Sequence, residues 1–156
     1  MKRKHIYLIL CFIWMAVIFW FSAQVADDSQ GMSNKLIELI DRIFNINLVE
    51  NGGWLFDVAS FIVRKLAHMS EYAVLAILFA LYFKEINVQH YGVYAIVAVF
   101  LYASTDEFHQ LFVEGRSGQF KDVLIDTFGG TLGFMLLQIY YKVLIKYKER
   151  RKTKQL

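Results

Sequence analysis

Four long apolar blocks, separated by short polar stretches, dominate this chain. They run over residues 6–23, 62–83, 92–112 and 123–145. Each comes close to the roughly 20 residues a helix needs to cross the hydrocarbon of a bilayer. The third block qualifies only if "STDEFHQLF" belongs to it. Ending it at Ala103 would leave 12 residues from Gly92, about 18 Å of helix, which is too short to cross. The pattern predicts an all-α membrane protein, a bundle of four transmembrane helices forming a single membrane domain over residues 1–156.

The longest polar connection, residues 24–61, contains a different pattern. In "SNKLIELIDRIFNINL", Leu36, Ile37, Ile40, Ile43 and Phe44 share a stripe, while Lys35, Glu38, Asp41, Arg42 and Asn45 lie mostly elsewhere. Ser33 stands where an N-cap belongs. This predicts an amphipathic helix over about residues 34–45, too short and too charged to span. It would lie on the outer leaflet or roof the bundle, with "ENGGW" turning the chain after it.

Composition agrees and excludes other classes. The chain is 57% hydrophobic and 17% aromatic without a single proline, unlike a soluble domain of 156 residues. Cys11 is the sole cysteine, which excludes an internal disulfide and a cysteine-based zinc cluster. A net charge of +3, concentrated at the termini, gives no surface for nucleic acid. "SAQVA" after the first block puts Gln24 where a signal-peptide cleavage site wants a small residue, so that block reads as a retained span.

Lysine and arginine set the orientation. Lys2, Arg3, Lys4, Lys84 and the seven from Lys142 onward fall on one side; the other six of the 17 fall on the opposite side. The richer side is the cytoplasmic one, which puts both termini and the basic tail, residues 146–156, in the cytoplasm.

The unusual polar residues then gather at the outer ends of the spans: "FSAQ", "RKLAHMSEY", "STDEFHQLF" and "KDVLID". Helix rise puts His68 and Glu71 about 6 and 10 Å beneath the outer boundary, and Asp106 and Glu107 about 8–9 Å beneath it. Arg64, His68 and Glu71 share a face, as do Asp106, His109 and Gln110. Glu107 lies about 100° around from Asp106. Gly129 and Gly133, with Gly130 beside them, permit close approach of another helix. Trp14, Trp20, Tyr82, Tyr91 and Tyr140 read as belt or packing residues.

Ionisable groups inside a membrane are costly, and they mark a site. The candidate ligand-binding set is Ser22, Gln24, Arg64, Lys65, His68, Glu71, Tyr72, Asp106, Glu107, His109, Gln110, Arg116, Asp122 and Asp126. Two functions fit. A binding protein would use Arg64, Lys65, Arg116 and Lys121 against phosphate or carboxylate of a lipid-linked or amphiphilic molecule. An intramembrane hydrolase or transferase would use His68 with Glu71, and His109 with Asp106 or Glu107, as acid–base pairs. The same groups could hold a divalent metal, although no HExxH pattern is present. The bland alternative is interfacial ion pairing.

The elements "FSAQ", "RKLAHMSEY" and "DEFHQLFVEGRSGQFKDVLID", with Gly129, Gly130 and Gly133, resemble the VanZ-like membrane proteins of bacteria. Asp126 departs from the pattern, which often has asparagine there. The resemblance implies a small multi-span envelope protein. It also implies a place in the bacterial cytoplasmic membrane and, for family members found in resistance clusters, a link to low-level resistance against glycopeptide antibiotics of the teicoplanin type, so that a lipid-linked cell-wall precursor or a lipoglycopeptide is the ligand it suggests.

Overall fold

The computed structural model describes residues 2–44 and 53–153. Among these, five helices account for nearly all of the chain: α1 (Arg3–Ser22), α2 (Ala26–Phe44), α3 (Gly53–Glu85), α4 (Tyr91–Gln110) and α5 (Phe120–Thr153). By length and composition α1, α3 and the Phe120–Arg151 part of α5 can each cross a membrane. Helix α4 is as long as α1, 20 residues, but it carries Asp106, Glu107, His109 and Gln110 in its last turns. Those residues take it out of the strongly apolar class.

Long-chain contacts fix the directions. Lys65 meets Asp122, Gly129 lies against Met69, Gly133 lies against Ala73, and the Lys84 ammonium sits 3.7 Å from the Tyr141 ring centroid. Residue numbers rise together along both helices, so α3 and α5 are parallel. Met15 pairs with Tyr102 and Phe19 with His109, so α1 and α4 run parallel to each other. The connection from α3 to α4 is residues 86–90, short enough for antiparallel neighbours. In it Asn87 and His90 take positive φ, 58° and 59°.

The core is built from Ile18, Tyr72, Leu75, Ala76, Val99, Ala103 and Val123, with Trp14, Met15, Phe79 and Phe100 packed around it. Its alanines are the reason the helices can come so close. Lipid offers no hydrophobic drive between helices, so backbone approach and packing hold the bundle together. Trp14 adds a bond from Nε1 to the Glu71 carbonyl at 2.8 Å, and Tyr102 donates to the Met15 carbonyl. Large apolar side chains such as Phe12, Trp20, Leu101, Leu136 and Val143 stay exposed. On a soluble protein such a surface would be sticky; on a bundle in a membrane it faces acyl chains.

Two helix starts differ from the sequence expectation. The second span, expected over 62–83, is part of a 33-residue helix that starts at Gly53, so residues 53–61 are helix rather than loop. The amphipathic helix starts at Ala26 rather than at about residue 34, because nothing in "ADDSQGM" breaks a helix. Ser33 is therefore no N-cap: it sits inside α2 and its hydroxyl donates to the Ser29 carbonyl at 3.1 Å. The face of α2 is also turned. Ser29, Ser33 and Ile37 are buried, and α2 rests on the first half of α3, where Ser60 donates to Asn34 Oδ1 at 2.7 Å. Ile43 and Phe44 of the expected stripe point away and are 65–70% exposed. Small residues set the contact, because they let two helices touch. Asn45 and the "ENG" of the expected turn lie outside the described residues, as do residues 154–156 of the basic tail.

Candidate functional site

The polar residues collect where α3, α4, α5 and the 111–119 connection meet. Helix α3 turns Arg64, Lys65 and His68 toward one cavity of about 220 Å³. Helix α4 adds Glu107 and Gln110, the connection adds Arg116, and the first turns of α5 add Lys121, Asp122 and Asp126. Lys65 Nζ lies 2.5 Å from Asp122 Oδ1. His68 Nδ1 lies 3.3 Å from Glu71 Oε2, an i, i+3 pair. The first is an ion pair, and the second becomes one when the His68 imidazole is protonated.

Glu107 organises the connection. Its Oε2 accepts from the Gln119 backbone N–H at 2.9 Å, and its Oε1 accepts from Gln110 Nε2 at 3.1 Å. Gly118 passes against the Glu107 backbone, where a Cβ would collide with the carbonyl. The carboxylate thus anchors the backbone immediately before α5. This brings Arg116 over the end of α1, where its Nε donates to the Gln24 carbonyl at 3.1 Å. Burial, reinforced by the charge of nearby Arg64, pushes the Arg116 guanidinium below its ordinary value.

Asp106 faces the other way, as the 100° step around the helix requires. It is buried, and its Oδ2 accepts from Gln110 Nε2 at 3.3 Å. The hydroxyls of Ser22 and Tyr72 face the same carboxyl. Ser22 Oγ, Tyr72 OH and Asp106 Oδ1 are all buried without a well-aligned hydrogen bond. The three form a polar knot beneath the cavity, joining α1, α3 and α4.

Of the residues singled out in the sequence, Arg64, Lys65, His68, Glu107, Gln110, Arg116, Asp122 and Asp126 line this cavity. Ser22, Tyr72 and Asp106 sit in the knot below it. Gln24 takes part through its carbonyl, while its side chain returns to the Trp20 carbonyl at 3.1 Å. His109 departs from the acid–base expectation. Its ring packs at a tilt of 47° against Phe19, with centroids 4.4 Å apart, and it pairs with neither Asp106 nor Glu107, whose bonds go elsewhere. Among the described residues no three His, Cys, Asp or Glu side chains are grouped to hold a metal ion.

Sequence reading missed the Gln119 N–H, because a backbone donor leaves no mark in a side-chain pattern. It also missed a second cavity, of about 230 Å³, between α2, α3 and the end of α1, walled in part by Phe21, Met32, Leu36, Val63 and Ala67. The signal for it was the small-residue spacing of Ser29 and Ser33, one helical turn apart.

No curated protein and no solved structure matches the chain. The family described as VanZ/LLP1 matches residues 7–141, from the start of α1 into the last turns of α5 and across every residue of the cavity. The chain belongs to the VanZ/LLP1 family.

Proposed function

We propose that this is a four-span protein of the bacterial cytoplasmic membrane, with both termini inside, whose outward-facing polar cavity binds an amphiphilic or lipid-linked envelope molecule. The observation that carries the reading is the cavity itself. Charged residues from three helices and one connection converge at one end of an otherwise apolar bundle. Helices that needed only to pack would do so with leucine and small residues, because a charge at a helix centre costs about 2.5–3.5 kcal/mol on insertion scales.

The parallel course of α3 and α5 supports the fourth span. If both cross in the same direction, the chain between them must return through the same thickness, and α4 is the only helix between them. Orientation rests on the lysine and arginine bias. A cysteine at Asn51, in a Cys11→Ala background, should react with an impermeant thiol reagent on intact cells. Labelling that appears only after lysis would reverse the orientation and turn the cavity inward.

Family membership makes tolerance to teicoplanin-type glycopeptides the first phenotype to test. Cells expressing the chain should tolerate more of the drug than cells without it. Glu71→Gln and Asp106→Asn should remove that gain while leaving protein levels and detergent stability nearly unchanged. Full tolerance in both variants would make these residues structural ion pairs and sink the functional reading.

One observation favours a second reading, an intramembrane hydrolase or transferase acting on a lipid-linked substrate. His68 lines the cavity and is held by Glu71, the arrangement of a general base with its orienting carboxylate. Incubation of the purified protein with a lipid extract separates the readings: a consumed lipid marks an enzyme, and unchanged bound lipid marks a binder.

A further inference from the structure

The polar and apolar cavities are not independent. Arg64, His68 and Arg116 line both. A single row of cationic and donor side chains therefore divides a charged space from a space walled by Phe21, Met32, Leu36 and Val63.

Among the described residues neither arginine has a carboxylate within ion-pair distance, although Asp106, Glu107 and Glu71 lie near enough to offset part of the charge on Arg116. The ion pairs beside them are Lys65 with Asp122 and His68 with Glu71. Arg116 spends its Nε on the Gln24 carbonyl. The terminal nitrogens of both guanidiniums have no partner among the described residues. Two half-buried like charges side by side are unfavourable, and an anion between them removes the repulsion. A carboxylate is satisfied by one planar fork. Two forks and an imidazole offer more donors than a carboxylate accepts, and they suit the three outer oxygens of a phosphate ester.

We infer that the two cavities form one bipartite site for a phosphate-bearing amphiphile, its phosphate held between Arg64 and Arg116 beside His68 and its apolar chain lodged between α2 and α3. Polar groups attached to the phosphate occupy the charged cavity. This assignment rests on the reading of the site as one for an envelope amphiphile, and it names the head group and the seat of the chain.

The test uses the full-length protein in nanodiscs of zwitterionic lipid, titrated with octyl phosphate, inorganic phosphate, nonanoate and octanol. Octyl phosphate should bind at least 100-fold more tightly than inorganic phosphate and about tenfold more tightly than nonanoate. Shortening its chain should weaken it about fourfold per methylene. Arg64→Gln and Arg116→Gln should each weaken octyl phosphate at least tenfold and leave octanol unchanged. Arg116→Lys, which keeps the charge and loses the fork, should fall between. Ala67→Phe, which fills the apolar cavity, should weaken octyl phosphate and spare inorganic phosphate. Melting midpoints within a few degrees of wild type confirm that the variants are folded.

Octanol binding as tightly as octyl phosphate would overturn the phosphate assignment but keep the amphiphile reading. Inorganic phosphate binding equally well, with Ala67→Phe silent, would make this a free-phosphate site with no seat for a chain. Binding of none of the four probes to folded protein would overturn both this inference and the reading beneath it.

Discussion

Gly133→Leu should give no folded protein, and Gly133→Ala should lower the melting midpoint in detergent by several degrees. A Cβ at Gly133 would lie 2.6 Å from the Ala73 Cα and 2.7 Å from its carbonyl carbon. Those are backbone atoms of α3 and cannot swing aside. At Gly129 the same atom would meet the Met69 carbonyl oxygen at 2.5 Å. Overpacking of this kind costs about 1–3 kcal/mol where some relaxation is possible. Here relaxation means parting the two helices that carry most of the site. Gly31 supplies the control, since nothing lies within 4 Å of its added Cβ. Gly31→Ala should stabilise by up to about 1 kcal/mol, because glycine inside a helix is the costlier residue. An unchanged midpoint for Gly133→Ala would mean that the α3–α5 seam is looser than described.

The second large effect is expected at Glu107. Glu107→Ala leaves the Gln119 N–H without its acceptor and frees Gln110 from one of its two carboxylates. Hydrogen bonds to a charged group contribute about 1.5–3 kcal/mol, which corresponds to roughly 10- to 100-fold in the population of the anchored connection. Amide exchange across residues 111–119 should accelerate by that order, and because Arg116 rides on the connection, affinity for octyl phosphate should fall at least tenfold. Glu107→Gln keeps one oxygen for Gln119 but turns an amide donor toward another donor, so an intermediate loss is expected. Exchange rates unchanged in Glu107→Ala would show that the connection is held by other means, with the Arg116–Gln24 bond the first to examine.

Much of this was legible in the residues before any coordinates. Membrane-length apolar blocks marked α1, α3 and α5, and the third block, expected over 92–112, is the helix α4 from Tyr91 to Gln110. Helical spacing paired His68 with Glu71 and separated Asp106 from Glu107. The glycines marked the seam with α3, although only packing could show that Met69 and Ala73 lie opposite. Where the reading failed, short-range pattern met long-range geometry. The apolar stripe of α2 left the outer leaflet and the roof of the bundle both open, and in the fold Ser29 and Ser33 make the contact together with Ile37, the one buried residue of that stripe, because a membrane surface accepts an apolar face as readily as a protein core does. His109 shares a helix face with Asp106, but its partner, Phe19, lies 90 positions earlier. The Gln24 carbonyl that receives Arg116 is 92 positions from it and chemically identical to every other carbonyl.

The α3–α5 seam has a further consequence, for which changes of length this protein can bear. Lys65 over Asp122 and Lys84 over Tyr141 are each separated by the same 19 residues along both helices. One residue inserted between Lys65 and Lys84 would turn one end against the other by about 100° and shift it about 1.5 Å. Lys65 would then face acyl chains while Asp122 stayed buried, and the glycines would meet side chains instead of bare backbone. A compensating insertion in α5 between Asp122 and Tyr141 would restore the match. Length variation is therefore barred from either helix alone and tolerated when both change together.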